Sequence, residues 1–255
     1  MSISAIILTK NEAKNISRAI ESVNFCDEVI VIDDFSEDET VEFAKKSGAK
    51  VYEKRLNGDF AKQRNAAMSK AQGDWLLFVD ADERISDDLE EEIKKVAIKN
   101  KLEYGVYYIK RRDFWWGREL KYGETSSIRH KGLIRLVRPQ TGSWKGRAHE
   151  VFKTNLPVGS LTNFINHYPH PTLKEFIEDI NLYSSLRAKE LQIKGERVGL
   201  VKIVSYPLGK FIINYFFKLG FLDGPAGFVY AFLMSFHSFL VRAKLYQYTR
   251  LSKNS

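Results

Sequence analysis

WLLFVDADER, residues 75–84, is an apolar run that ends abruptly on two carboxylates two positions apart. Trp75 to Val79 are continuously apolar and short, which is the mark of a strand buried on both faces rather than of an amphipathic helix. Asp80 and Asp82 then stand at its C-terminal end, where like charges repel; a solvated turn is the ordinary arrangement for such a pair, and a bound cation is the functional one. Runs of the same kind occur upstream, ISAIIL (3–8), EVIVID (28–33) and KVYE (50–53), with longer stretches of helical spacing between them. Strand, helix, strand in this rhythm predicts an α/β fold with a parallel, doubly wound sheet. Such sheets bind ligands at the C-terminal ends of their strands, and Asp33, Asp34, Asp80 and Asp82 all fall at such ends.

Local signals punctuate the pattern. Ser36 with Glu39 reads as a capping box opening a helix through Val41, Phe43 and Ala44, and Ser86 followed by Asp87 and Asp88 opens another. Gly48 and Gly73 lie where helices should end. From Tyr104 the pattern changes to a region rich in Trp, Tyr, Arg and Gly, YGVYYIKRRDFWWGREL, with later strands around LIRLVR and HEVFK. A capping box at Thr172 and Glu175 predicts a long helix with Leu173, Phe176, Ile177, Ile180, Tyr183 and Leu186 on one face. No internal repeat or low-complexity linker is present.

From about Val198 to Tyr248 the chain is strongly apolar and aromatic, interrupted in its first part by Lys202, Lys210 and Lys218. Residues 225–241, PAGFVYAFLMSFHSFLV, carry no charge with His237 neutral, yet fall short of the roughly 20 residues that span a bilayer. A helical hairpin lying in one leaflet with its cations toward the headgroups is the expectation, against a hydrophobic subdomain or dimer interface.

Bulk properties set further bounds. With 255 residues, 44% apolar and 28% charged, the chain can form one sizeable core with an appendage. Cys26 is the single cysteine, so no intrachain disulfide or cysteine-based metal finger can form, and a reducing compartment is expected. The N-terminus lacks the basic lead and long apolar stretch of a signal peptide. Charge is uneven: residues 1–100 carry 15 Lys/Arg against 21 Asp/Glu, whereas the remainder carries 25 against 11. The basic part suggests a face that meets anions, whether nucleic acid, acidic lipid or a phosphorylated substrate.

A D-x-D pair at a strand end suits Mg²⁺, which takes one or two carboxylates plus substrate phosphates. Phosphatases of the haloacid dehalogenase type also use such a pair, but after the first strand and with Thr or Val two residues on. Here it follows the fourth predicted strand and Arg84 stands in that place. The ordered set IILTKNEAKNI, VIDDFSEDET, AKQRNAA and WLLFVDADER instead resembles a family 2 glycosyltransferase of the GT-A fold. The shorter stretches GRAHEVF, INHYPH and FLDGPAGFVYAF are similar to the bacterial lipopolysaccharide core β-glycosyltransferase subgroup.

That resemblance implies a site. Thr9, Asn11 and Glu12, after the first strand, would receive the nucleotide; Asp34 would accept a hydrogen bond from uracil; Arg64 would lie near base or diphosphate. Asp80 would contact ribose or metal, and Asp82, with His167, would hold Mg²⁺ or Mn²⁺. Glu150 is the implied general base, with His149 orienting it or touching the donor sugar. Aromatic faces stack on sugars, so Trp115, Trp116 and Trp144 are candidates for sugar contact, with core packing as the equal alternative; Trp144 stands out only for its nearness in sequence to Glu150. The implied architecture is a nucleotide-sugar and acceptor-binding catalytic domain over residues 1–170, a mixed and mainly parallel sheet, and a helical, membrane-associated extension over 171–255. The implied reaction is an inverting, metal-dependent transfer from a nucleotide sugar, UDP-linked, to a lipid-linked or lipopolysaccharide-core glycan at the cytoplasmic face of the inner membrane. The membrane is met through residues 198–255, and a homo-oligomer is compatible with that tail. Other acceptors, a cell-surface polysaccharide or a protein, fit the same motifs. A non-catalytic anion- or nucleic-acid-binding protein is the contrasting reading of the pI near 9.3, and the acidic N-terminal part argues against nucleic acid. A membrane scaffold that has lost catalysis is disfavoured by the intact carboxylate set.

Overall fold

The computed structural model describes residues 1–98, 104–146, 150–169 and 171–251. The chain divides into two compact units, Met1–Arg112 with Ile128–His167, and Asp113–Ser127 with Tyr168–Ser255. In chain order the elements are β1 (Ile3–Thr9), α1 (Ile16–Glu21), β2 (Glu28–Asp33), α2 (Thr40–Lys46), β3 (Lys50–Glu53), α3 (Phe60–Met68), β4 (Trp75–Asp80), β5 (Glu83–Ile85) and α4 (Asp87–Ile98). There follow β6 (Val106–Trp115), β7 (Arg118–Leu120), α5 (Ser126–Lys131), β8 (Leu133–Val137), β9 (Ser143–Lys145), β10 (Val151–Lys153) and β11 (Val158–His167). Three longer helices, α6 (Leu173–Ile193), α7 (Leu200–Ile212) and α8 (Gly224–Leu251), complete the described chain.

In the first unit the four apolar runs form the strands they predict, side by side in the order β3-β2-β1-β4. All are parallel, with Ile6 level with Ile30 on one side and Phe78 on the other. Every residue of β1 is buried, which explains its largely apolar character. Alternate residues feed two cores: Ala5, Ile7, Leu77 and Val79 on one face, and Ile6, Leu8, Leu76 and Phe78 on the other. Beyond β4 the sheet continues as β8-β6-β11-β5, and the pairs β4/β8, β6/β8 and β11/β5 are antiparallel. The sheet is therefore mixed, and its switch from parallel to antiparallel falls beside the strand that ends on Asp80.

Three local expectations change in the fold. Ser36 does not cap α2: its backbone N–H and its hydroxyl both donate to the Asp33 carboxylate, and the helix starts later, at Thr40. A buried carboxylate at the end of β2 outcompetes an exposed helix end for that serine, since Asp33 would otherwise lie unsatisfied. Gly48 does follow a helix, with φ +85 and its N–H bonded to Lys45 O. Gly73 does not; a Cβ there would stand 2.6 Å from Ser4 N, so glycine is required for close backbone approach to β1. Ser86 meets its expectation, its hydroxyl accepting from Leu89 N ahead of α4.

In the second unit Trp115, Leu120, Phe176, Ile180, Ala226 and Leu233 form a separate core. Thr172 caps α6, its hydroxyl accepting from Glu175 N at 3.2 Å. The buried line on α6 is Phe176, Ile180, Ser184 and Ala188, whereas Leu173, Ile177 and Tyr183 are exposed. Small side chains at 184 and 188 let α8 come close, and Lys244 Nζ from α8 donates to Asn181 O at 2.7 Å and to the hydroxyls of Ser184 and Ser185. Hydrophobic burial of Phe176 and Ile180 and close approach at Ser184 and Ala188 together select that face. The uncharged stretch 225–241 lies inside the 28-residue α8, which packs against both α6 and α7.

Candidate active site

The turn after β4 is held from several sides. Asp80 N–H donates to Glu83 Oε2 at 3.0 Å, and Arg84 Nη1 donates to the carbonyls of Ala81 and Glu83 at 2.9 and 2.6 Å. Arg84 Nη2 reaches Asn15 O at 3.1 Å, tying this turn to the loop that follows β1. The antiparallel pairing of β5 with β11 sets Glu83 level with His167. That register brings His167 Nε2 to 3.1 Å from Asp82 Oδ2, across 85 positions of sequence.

Around Asp80 lies a network of buried and half-buried charges. Arg64 Nη2 donates to one carboxylate oxygen at 3.0 Å and Arg135 Nη2 to the other at 2.6 Å. Arg135 Nη2 also donates to Glu83 Oε1 at 2.8 Å, and Arg111 Nη1 stands 3.6 Å from the same oxygen. Arg64 Nε donates to Glu150 Oε1 at 2.9 Å, while Glu150 Oε2 makes no hydrogen bond among the described residues. The Arg64 guanidinium is seated over Trp144 and Phe78, 5.0 and 5.6 Å from the ring centroids. Its Nη1 is buried and has no hydrogen-bond partner among the described residues.

The electrostatics follow from this geometry. Burial pushes the Asp80 carboxyl up, but the charges and hydrogen bonds of Arg135 and Arg64 outweigh it and hold the group well below the usual carboxylate range. Burial likewise pushes Asp82 up; His167 beside it outweighs both that and the repulsion of Asp80, leaving Asp82 below its ordinary value. Arg135 is pushed down by burial and held up more strongly by Asp80 and Glu83. Four carboxylates (Asp80, Asp82, Glu83, Glu150) thus face three guanidiniums (Arg64, Arg111, Arg135). His167 aside, the cluster carries one more negative than positive charge.

The loop after β1 is fastened to the loop after β2. Asn11, at φ 54, receives Glu37 N on its side chain and gives its own N–H to the Ser36 hydroxyl, both at 2.8 Å. Glu12 N donates to Thr40 Oγ1 at 2.7 Å. Asp34 accepts from Leu56 N at 2.8 Å and from Lys10 Nζ at 3.3 Å. Thr9 Oγ1 is buried without a hydrogen-bond partner among the described residues. These four residues lie at the C-terminal ends of β1 and β2, and their register places them at the same end of the sheet as Asp80.

The sequence model of Glycosyl transferase family 2 matches residues 4–153, more than half of the chain and every element that carries the cluster except β11 with His167. The chain belongs to glycosyltransferase family 2. An uncharacterized glycosyltransferase of Rickettsia typhi is 32% identical over 99% of this chain and 89% of its own length. The lipopolysaccharide core biosynthesis glycosyltransferase LpsC of Rhizobium meliloti is 27% identical over 96% of this chain and 92% of its own. Among solved structures, Staphylococcus aureus TarS 1–349 in complex with UDP-GlcNAc covers 98% of this chain and 92% of its own at TM-score 0.50 and 16% identity. Mannosyl-3-phosphoglycerate synthase from Rubrobacter xylanophilus reaches the same TM-score over 78% of this chain and 77% of its own, also at 16% identity. The fold of this glycosyltransferase is GT-A.

Asp82 and His167 are the pair in this glycosyltransferase that could hold a divalent cation. One carboxylate and one imidazole, in a cluster with an excess of negative charge, fit an ion whose remaining positions are filled by phosphate oxygens and water. No cluster of three or more His, Cys, Asp or Glu suited to a metal occurs among the described residues. His149 lies outside the described residues. Trp144 calls for a correction: it is 5% exposed, packed edge-on against Phe78 and Phe152, and offers no face to a sugar. Its backbone is pinned by Asn65, whose side chain both donates to and accepts from it at 2.9 Å, so Trp144 serves as the seat of Arg64.

Three members of the charge cluster, Glu83, Arg111 and Arg135, are not among the candidates that the sequence points to: Glu83 reads as part of the turn, and the two arginines as cations of a basic region. A signal for Arg135 does exist: it interrupts the apolar strand LIRLV, and a charge buried in a strand needs a partner.

Proposed function

We propose that the protein transfers a sugar from a nucleotide sugar, UDP-linked, to a lipid-linked or lipopolysaccharide-core glycan, with inversion at the anomeric carbon and with Mg²⁺ or Mn²⁺. The observation that carries this reading is the contact between Asp82 and His167, two positions along the chain from the Asp80 carboxylate that binds Arg64 and, through it, Glu150. Thr9, Asn11, Glu12 and Asp34 receive the nucleoside, and the unsatisfied hydroxyl of Thr9 supports this. Arg64, with its buried and unpartnered Nη1, faces the diphosphate, and Asp80 holds Arg64 in that orientation. Asp82 and His167 hold the cation, which when bound offsets the charge that grows on the departing diphosphate.

Glu150 acts as general base. Its Oε1 is fixed by Arg64 and its Oε2 is left to take the proton of the acceptor hydroxyl. As that proton leaves, the acceptor oxygen bonds to the anomeric carbon and the bond from that carbon to the diphosphate oxygen breaks. Attack opposite the leaving group inverts the configuration. The acceptor's lipid character is supported by the likeness to LpsC and by the apolar tail, and the enzyme then works at the cytoplasmic face of the inner membrane.

Purified protein with Mn²⁺ or Mg²⁺ and a panel of nucleotide sugars is expected to bind a uridine nucleotide sugar and hydrolyse it slowly. If no nucleotide sugar binds, the reading is wrong. Glu150→Gln should bind donor as the wild type does and lose transfer by roughly 10²–10⁴-fold, the usual contribution of a positioned base. Transfer at the wild-type rate would remove Glu150 from the role.

A further inference from the structure

Helix α7 is largely apolar, with Lys202, Ser205 and Lys210 as its polar interruptions. Its inner face, with Ile203, Pro207 and Phe211, lies against α8, where the Ser235 hydroxyl donates to Pro207 O at 2.7 Å. Its outer face carries Val201, Val204, Leu208 and Ile212, spaced by three and four residues, and the π-helical turn that follows adds Phe216 and Phe217. All six are exposed, Val201 by 79% and Phe217 by 78%. The inner face already has α8 as its neighbour, so this exposed apolar stripe calls for a second covering surface. Soluble monomers rarely leave a contiguous apolar patch above about 300–600 Å².

Charge decides what covers this face. Between residues 198 and 251 the only acid is Asp223, which is buried and accepts from the backbone N–H groups of Lys121 and Tyr122. Lys202 and Lys218 stand exposed at the two ends of the apolar stripe, while Lys210 pairs with Glu124. Long cationic side chains beside an apolar strip suit an anionic lipid surface, where the stems lie in hydrocarbon and the ammonium groups meet phosphates. A second copy seated here would bring its own lysines against these.

Length alone would point to α8, since 28 residues reach about 42 Å at 1.5 Å per residue. Its Ala226, Ala231, Leu233, Val241 and Leu245 are buried in the second unit, however, and Lys244 is bound to Asn181 and Ser184 of α6. Crossing a bilayer would drag in α6, with its exposed Lys174, Glu178 and Lys189.

We infer that the outer face of α7, continued by Phe216 and Phe217, is a membrane-embedded surface that lies in a single leaflet of anionic lipid, and that α8 does not span. The inference deepens the membrane placement proposed above and requires neither the donor nor the metal assignment. Flotation of the full chain with vesicles of phosphatidylglycerol and phosphatidylethanolamine, with phosphatidylcholine vesicles as the comparison, tests it. The wild type should float with the anionic vesicles, and Val204→Glu/Leu208→Glu/Phe217→Glu should bind them at least ten-fold less, with an unchanged circular dichroism spectrum. Lys202→Ser/Lys218→Ser should lose the part of binding that salt removes. If the triple variant still floats, the anchor lies elsewhere and the inference fails. If the wild type ignores vesicles and forms a dimer that the triple variant abolishes, a second copy covers this face and the inference also fails. Donor hydrolysis without vesicles should be equal in wild type and triple variant; its absence from both would count against the catalytic reading and leave the lipid result standing.

Discussion

Asp82→Asn is expected to lower donor turnover by about 10²–10³-fold at saturating Mn²⁺ or Mg²⁺, the usual cost of losing one charge-stabilising group at a transition state. Asparagine keeps the size of the side chain and can still bond to His167 Nε2, which lies 3.1 Å from Asp82 Oδ2. What it loses is the negative charge, which in the wild type is secured by a carboxyl held below its ordinary range despite burial. The variant should therefore fold as well as the wild type and require much more metal. Isothermal titration of the metal in the presence of UDP, alongside steady-state turnover, reads both consequences. Full turnover with unaltered metal dependence would remove Asp82 from cation binding. The wild type treated with EDTA should fall to the same low rate and recover on adding Mn²⁺.

Arg135→Met is expected to be the most destabilising single change in the first unit, by about 3–5 kcal/mol, because it leaves buried charge without its partner. Arg135 is 3% exposed and its Nη2 serves both Asp80 and Glu83, the latter wholly buried. Methionine fills similar space, so the loss reports on the ion pairs rather than on a cavity. Urea denaturation at pH 7 measures it, and Arg135→Met/Glu83→Gln should recover part of the loss by removing one of the stranded carboxylates. A loss below about 1 kcal/mol would mean that solvent reaches the network and screens it.

Acid should act on the wild type late. A carboxyl held below its unfolded value contributes stability that is complete above about pH 4 and is lost as pH falls through the depressed value. For Asp80 the shift is downward, so its contribution should stay constant from pH 7 to 5 and fade only at lower pH. Comparing the pH dependence of stability in wild type and Asp80→Asn isolates that contribution.

The parallel half of the fold was legible because its signals are local. Strands buried on both faces must be apolar at consecutive positions, so ISAIIL, EVIVID and WLLFVD announce themselves without knowledge of their neighbours. Caps were less legible where a stronger acceptor competed. Ser36 lies three residues before Glu39 as a capping box requires, yet the Asp33 carboxylate takes both its donors. Part of the α6 face is legible as well: of Leu173, Phe176, Ile177, Ile180, Tyr183 and Leu186, which hydrophobic spacing favours, Phe176 and Ile180 are buried, and the small Ser184 and Ala188 continue the buried line in place of the others.

The sequence by itself determined the alternation of strands and helices, the position of Asp80 and Asp82 at a strand end, and, through four ordered motifs, membership of a glycosyltransferase family. Only the tertiary structure decided which charges meet. Asp82 finds His167 85 positions away through the β5/β11 register, and Arg64 finds Glu150 across 86 positions. It also decided that Trp144 is core and that Arg135 pairs with Asp80 and Glu83. The physical reason is range. Hydrophobic periodicity and strand-end position are written in neighbouring residues, whereas a buried charge is satisfied by whatever the sheet order and strand register bring within about 3 Å of it.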